Sequence, residues 1–126
     1  MLKVESKETG LEHESTTLNN VGEIFAQYEE QFTNSINERN YLASETALLG
    51  LCIRLTDLRK EEQLFIVRTF FMHILAKHVS MKKKLYKEPS TLHANCIHLA
   101  HKIDLAKEMS DFIELIPEFT KELMFN

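Results

Sequence analysis

Apolar side chains recur at steps of three and four along most of this chain, and that periodicity constrains its fold more than any other feature. Val21, Ile24, Phe25, Tyr28, Phe32 and Ile36 follow one another in this way, with Glu23, Gln27, Glu30 and Gln31 between them. An α-helix turns about 100° per residue, so such a series makes one apolar stripe bordered by polar faces. Only three glycines and two prolines occur in 126 residues, which leaves few places to interrupt helices. The expectation is an all-α fold, a four- to five-helix bundle with a disordered N-terminal tail.

Residues 1–18 mix charges with Ser, Thr and Gly and carry no aromatic, so they are expected to form the tail. Residues 19–126 are expected to form a single helical-bundle domain. Asn20 and Glu23 have the spacing of a capping box and mark the first helix, which should end near Asn37 to Asn40. A second helix is expected from about Tyr41 to Thr56, apolar on nearly every face between Ala47 and Ile53, and therefore buried. On that reading Leu49 is a core residue, and Gly50 allows a neighbouring helix to come close.

Asp57 is positioned to cap a third helix whose body, LFIVRTFFMHIL, is the richest apolar stretch of the chain. Pro89 should stop it and Ser90 cap a fourth. The fourth is expected to run unbroken to about Leu115, where Pro117 breaks or kinks it and leaves a short last segment, EFTKELMFN. Apolar residues cover more than one face of the third helix. Four helices need not cover them all, and Phe65, Phe70, Met72 and Ile74 are the expected surface for self-association or a protein partner.

The stretch LHANCIHLAH, Leu92 to His101, packs three histidines and a cysteine into ten residues. With Leu92 at zero, Cys96, Leu99 and Ile103 fall within roughly 40° of it on a helix, so the cysteine faces the core. His93, His98 and His101 fall at roughly 100°, 240° and 180°, on the other side. The cysteine and these histidines therefore cannot enter one coordination sphere on this helix. Only His98 and His101, three apart, share a face suited to an ion or to sensing pH, while His73 and His78 point about 140° apart. No metal and no cofactor is expected. Asp104, Glu108, Asp111, Glu118 and Glu122 line up along the C-terminal third and read as a solvated acidic face.

A net charge of -4 argues against binding nucleic acid through the overall field. The chain has no glycine-rich phosphate loop, no GxSxG and no HExxH, so neither catalysis nor a small-molecule substrate is expected. Two cysteines outside any CxxC pair suggest free thiols in a reducing compartment. The N-terminal residues lack the apolar run of a signal peptide, and no uninterrupted apolar run approaches the roughly 18 residues of a membrane span. A cytoplasmic, non-catalytic protein acting by protein–protein interaction is the expectation: a regulator, adaptor, chaperone or immunity-type protein.

The segment STTLNNVGEIF, followed by LLGLCIRL, resembles the N-terminal region of the TraM-type relaxosome proteins of conjugative plasmids. That resemblance, over roughly residues 14–60, implies an alternative: a ribbon-helix-helix dimer that reads DNA through a short N-terminal strand, followed by a helical oligomerisation region. Ser15 and Thr17 would then be the strand positions facing DNA. No Lys or Arg lies between Lys7 and Arg39, so phosphate contacts would have to come from other parts of the chain.

Overall fold

The computed structural model describes residues 9–85 and 90–125, with side chains described over 21–82 and 94–125. The fold is all-α, with five helices among the described residues in the order α1 (Thr9–Asn37), α2 (Tyr41–Arg54), α3 (Lys60–Leu85), α4 (Ser90–Leu105) and α5 (Met109–Phe125). No strand occurs among the described residues. The tail expected over residues 1–18 lies outside the described residues as far as residue 8, and from Thr9 the backbone is helical. Asn20 therefore stands within α1 and does not start it.

The turn between α1 and α2 shows how the chain reverses without glycine. Arg39 adopts φ 60°, the left-handed conformation, and its N–H donates to Ile36 O while that of Asn40 donates to Ser35 O. These two bonds close a Schellman motif. The strain of a non-glycine residue there is offset by the Arg39 guanidinium, which donates to Met124 O at 2.6 Å and ties the turn to the end of α5. Asn40 then caps α2, its side chain accepting from the N–H of Ala43 at 3.0 Å.

Two other helices begin by a different device. Glu62 reaches back to the N–H of Arg59 at the start of α3, and Asp111 accepts from the N–H groups of Lys107 and Glu108 at the start of α5. In each case a carboxylate in the first turn satisfies backbone donors that the helix leaves open. Asp57, the expected cap of α3, lies upstream of that start. The expected long fourth helix is in fact two, α4 and α5, with the joint at 106–108, and Pro117 sits inside α5 on its exposed side. Pro117 has no N–H to offer the carbonyl of Ile113, but α5 runs through it because both flanking turns are anchored in the core.

The bonds to Lys107 and then Glu108 hold the Asp111 carboxyl below its ordinary value. A carboxylate with a depressed folded pKa adds stability above its unfolded value, about 3.9, and that stability is lost as pH falls through the folded value. Asp111→Ala should therefore be less stable than the wild type at pH 7, and the gap should close toward about pH 2. Urea unfolding at the two pH values checks it; a gap independent of pH would remove Asp111 from this role.

Five phenylalanines from three helices lie at the centre of a core to which all five described helices contribute. Phe32 of α1, Phe70 and Phe71 of α3, and Phe112 and Phe119 of α5 are all fully buried. Phe71 lies 4.7 Å from Phe119 and 5.6 Å from Phe112, ring centre to ring centre, and Phe25 meets Phe70 edge-on at 4.9 Å. Helices α3 and α5 each pack against the other four, so the C-terminal segment expected to be short is a central helix. α4 packs chiefly on α3 and α5. Gly50 faces Tyr28 of α1, where an added Cβ would come within 3.1 Å of the ring, and this close approach accounts for the glycine.

By length and composition alone Lys60–Lys82 is apolar enough to cross a membrane, although no uninterrupted apolar run in the sequence is that long. Here Val67, Phe70, Phe71, Ile74 and Leu75 of that helix lie in the core.

Candidate functional site

Two features stand out against this frame: a cluster of three ionisable groups in the interior, and a set of large apolar side chains left on the surface. The cluster comprises His78, Cys96 and Glu122, brought in by α3, α4 and α5, with one donor atom from each lying within 4.8 Å of the others. Each occupies a position that its helix turns toward the core. His78 follows Phe71 and Ile74 on one stripe, Cys96 precedes Leu99 and Ile103, and Glu122 follows Leu115 and Phe119. Exposure of the three is only 9%, 4% and 7%.

Burial governs their chemistry. It lowers the His78 pKa to about 4, with the nearby charge of Lys82 acting in the same direction, so the imidazole is neutral. It raises the Cys96 thiol to about 11, and the Glu122 carboxyl adds to that shift. His78 Nε2 has no hydrogen-bond partner among the described residues. A buried polar atom left in that state costs about 1–3 kcal/mol.

Two openings reach the cluster. His78 lines a cavity of about 320 Å³ between α1, α3 and α5, together with Arg39, Lys77 and Lys82. Cys96 lines a groove of about 420 Å³ between α3 and α4, walled by Met72, Leu75, Ala76, Val79 and Ile97.

As a nucleophile–base pair the cluster is poorly set. A catalytic cysteine needs its thiolate stabilised by a neighbouring positive charge. Here the thiol sits beside a carboxyl and an uncharged imidazole, both of which leave it protonated. As a donor set for a cation it is well matched: one nitrogen, one sulfur and one oxygen converge from three elements.

The sequence pointed elsewhere. His98 and His101 are both exposed, and His98 faces Glu118 at 4.0 Å while Lys102 bonds that same carboxylate at 2.8 Å. His93 lies outside the residues with described side chains. Cys96 does face the core, as its helical angle requires, but its histidine comes from another helix. The acidic row does not hold together either: Glu122 is interior, Asp111 caps α5, and the joint at 106–108 separates Asp104 from both. The missed signal was a polar residue at a core position of an apolar stripe, repeated on three helices.

Of the four residues expected on a partner surface, Phe70 and Ile74 are core, with exposures of 0% and 5%. Phe65 is 69% exposed and Met72 partly buried, seven residues apart on one outward stripe that runs into the α3/α4 groove. The expected burial of α2 also fails on one side. Leu42, Leu49 and Ile53 are 73%, 38% and 69% exposed, and with exposed Thr46 they follow steps of four, three and four along one face.

Ser15 and Thr17 lie within helical backbone, so the short DNA-reading strand implied by the TraM-type resemblance is not present at residues 14–18. No protein-family model, no curated protein and no solved structure matches the chain.

Proposed function

We propose that this chain is a non-catalytic protein-interaction module, and that the outer face of α2 pairs with the same face of a second copy. The observation that carries this reading is the row Leu42, Thr46, Leu49 and Ile53, exposed and spaced as the seam of a coiled coil. Such spacing calls for a helix as its occupant, and large apolar side chains aligned in a stripe differ from the scattered exposure of an ordinary surface. The row is also symmetric about its midpoint. An antiparallel pairing across a two-fold axis sets Leu42 against Ile53 of the second copy and Thr46 against Leu49 of it, which is the self-complementarity an isologous interface requires. The same pairing brings the Arg54 end of one α2 toward the Glu45 end of the other. Each large apolar side chain removed from water contributes roughly 1.5–3 kcal/mol before ordering costs, which suits association in the micromolar range.

Light scattering on the wild type should give the mass of a dimer at high concentration. Leu49→Asp and Ile53→Asp should each give a monomer with an unchanged helical circular-dichroism signal, whereas Phe65→Asp on α3 should remain dimeric. A monomeric wild type, or a dimer that only Phe65→Asp disrupts, overturns the assignment to α2.

A further inference from the structure

We propose that His78, Cys96 and Glu122 form a binding site for a divalent transition-metal ion of the zinc class, clasping α4 between α3 and α5.

The geometry comes first. Zinc lies about 2.0–2.3 Å from nitrogen, oxygen and sulfur ligands, which places donors in a tetrahedral site roughly 3.3–3.8 Å apart. The three donor atoms already lie within 4.8 Å of one another, so small side-chain rotations close the site. They come from three different helices, each fixed by core side chains within a turn or two on the same stripe: Ile74, Leu99 and Phe119. A preorganised arrangement of this kind is what a bundle uses to hold a metal in its core.

Charge gives the second argument. On binding, the Cys96 thiol gives up its proton to solvent in exchange for the metal–sulfur bond. The resulting thiolate and a carboxylate carry two negative charges and a neutral imidazole adds none, so a divalent ion makes the donor set neutral. That matters at this depth, where an uncompensated charge is costly. The ammonium of Lys82 acts against a cation here, but two anionic ligands in direct contact with the ion outweigh one charge beyond them. Softness points the same way, since sulfur with imidazole and a carboxylate suits zinc and disfavours magnesium or calcium.

The third observation is independent of both. His78 Nε2 is turned into the interior with no hydrogen-bond partner among the described residues, on a side chain more than nine-tenths buried. A coordinate bond would satisfy that lone pair. Three protein ligands leave one coordination position for water or another small ligand, and the cavity of about 320 Å³ that His78 lines has room for it.

Full-length protein made without a histidine tag, stripped with a chelator and titrated with cobalt(II) alone, tests this. The expected result is one equivalent bound per chain, with a thiolate-to-cobalt charge-transfer band, displacement of cobalt by zinc, and a higher melting temperature with zinc than without. Cys96→Ala should abolish the charge-transfer band. The isosteric Glu122→Gln should weaken binding by at least about tenfold, and carries the test should the cysteine variant fail to fold. Cys52→Ala, which alters the other buried cysteine, should bind as the wild type does. The proposal is overturned if cobalt gives no thiolate band and zinc leaves the melting temperature unchanged. It is equally overturned if binding survives in folded Cys96→Ala or is lost in folded Cys52→Ala.

Discussion

Phe71→Ala is expected to cost the fold about 3–5 kcal/mol. Phe71 has no exposed surface, and its ring is packed between Phe119 and Phe112, which are themselves fully buried. Truncation removes the transfer energy of the ring and leaves a void between α3 and α5 beside two other buried rings, with little freedom to collapse. Each aromatic pair adds about 0.5–1.5 kcal/mol beyond area alone, and this substitution breaks two of them. A domain of ordinary stability has roughly 5–15 kcal/mol in all, so the variant should sit near the edge of folding. Phe65→Ala, on the same helix but 69% exposed, should change stability by no more than about 0.5 kcal/mol. Urea unfolding of the two variants side by side gives the comparison. Equal effects would show that the packing around Phe71 is not what holds α3 and α5 together.

The contrast between these two phenylalanines marks where the sequence stops being informative. Helical class and most registers follow from spacing alone: the α1 stripe Ile24, Phe25, Tyr28, Phe32 and Ile36 is the stripe that packs inward. Helices α2 and α3 are apolar on several faces, and periodicity does not rank one apolar face above another. Leu49 was therefore expected in the core and lies at its edge, while Phe70 and Ile74 were expected on a surface and lie inside. Only the neighbouring helices decide the matter, through contacts far apart in sequence. The candidate metal cluster was hidden for the same reason. Its members lie on three helices, and a search for ligands at i and i+3 or i+4 on one helix does not join them.

Glu122 shows a subtler failure. Charge spacing linked it to Asp111 and Glu118, yet its angular position on α5 links it to Leu115 and Phe119, which are buried. Where the two patterns disagree, the apolar one decides the placement, because α5 is anchored by several large side chains and a single carboxylate does not rotate it. A carboxylate carried into the interior in this way is costly unless its charge is met, so a buried glutamate position is informative about chemistry.

The joint between α4 and α5 is the remaining feature the sequence did not reveal, and it gives the second large prediction. Nothing in IDLAKEMSDFIEL breaks a helix: it contains no glycine or proline, and its Ala, Leu, Lys, Glu and Met favour continuation. Contacts from α3 meet the break from outside. The Arg68 guanidinium donates to the carbonyls of Ile103 and Ala106 at the end of α4, where Ile103 O otherwise accepts only a long bond from the N–H of Ala106, and it lies over the Phe112 ring at 5.7 Å. A cation at a helix C-terminus also meets the negative end of its dipole. Arg68→Met keeps the apolar stem but removes every donor, and is expected to cost about 2–4 kcal/mol, combining lost charged hydrogen bonds with the weaker contact to the ring. Arg68→Lys should recover only part of this, since a point charge does not fork between two carbonyls. Unfolding free energies of the three proteins, with backbone amide exchange over 103–112, check both the size of the effect and its place. If Arg68→Met matches the wild type in stability and its amides remain equally protected, the joint is set by α5 and its Asp111 cap alone, and Arg68 is incidental to the break.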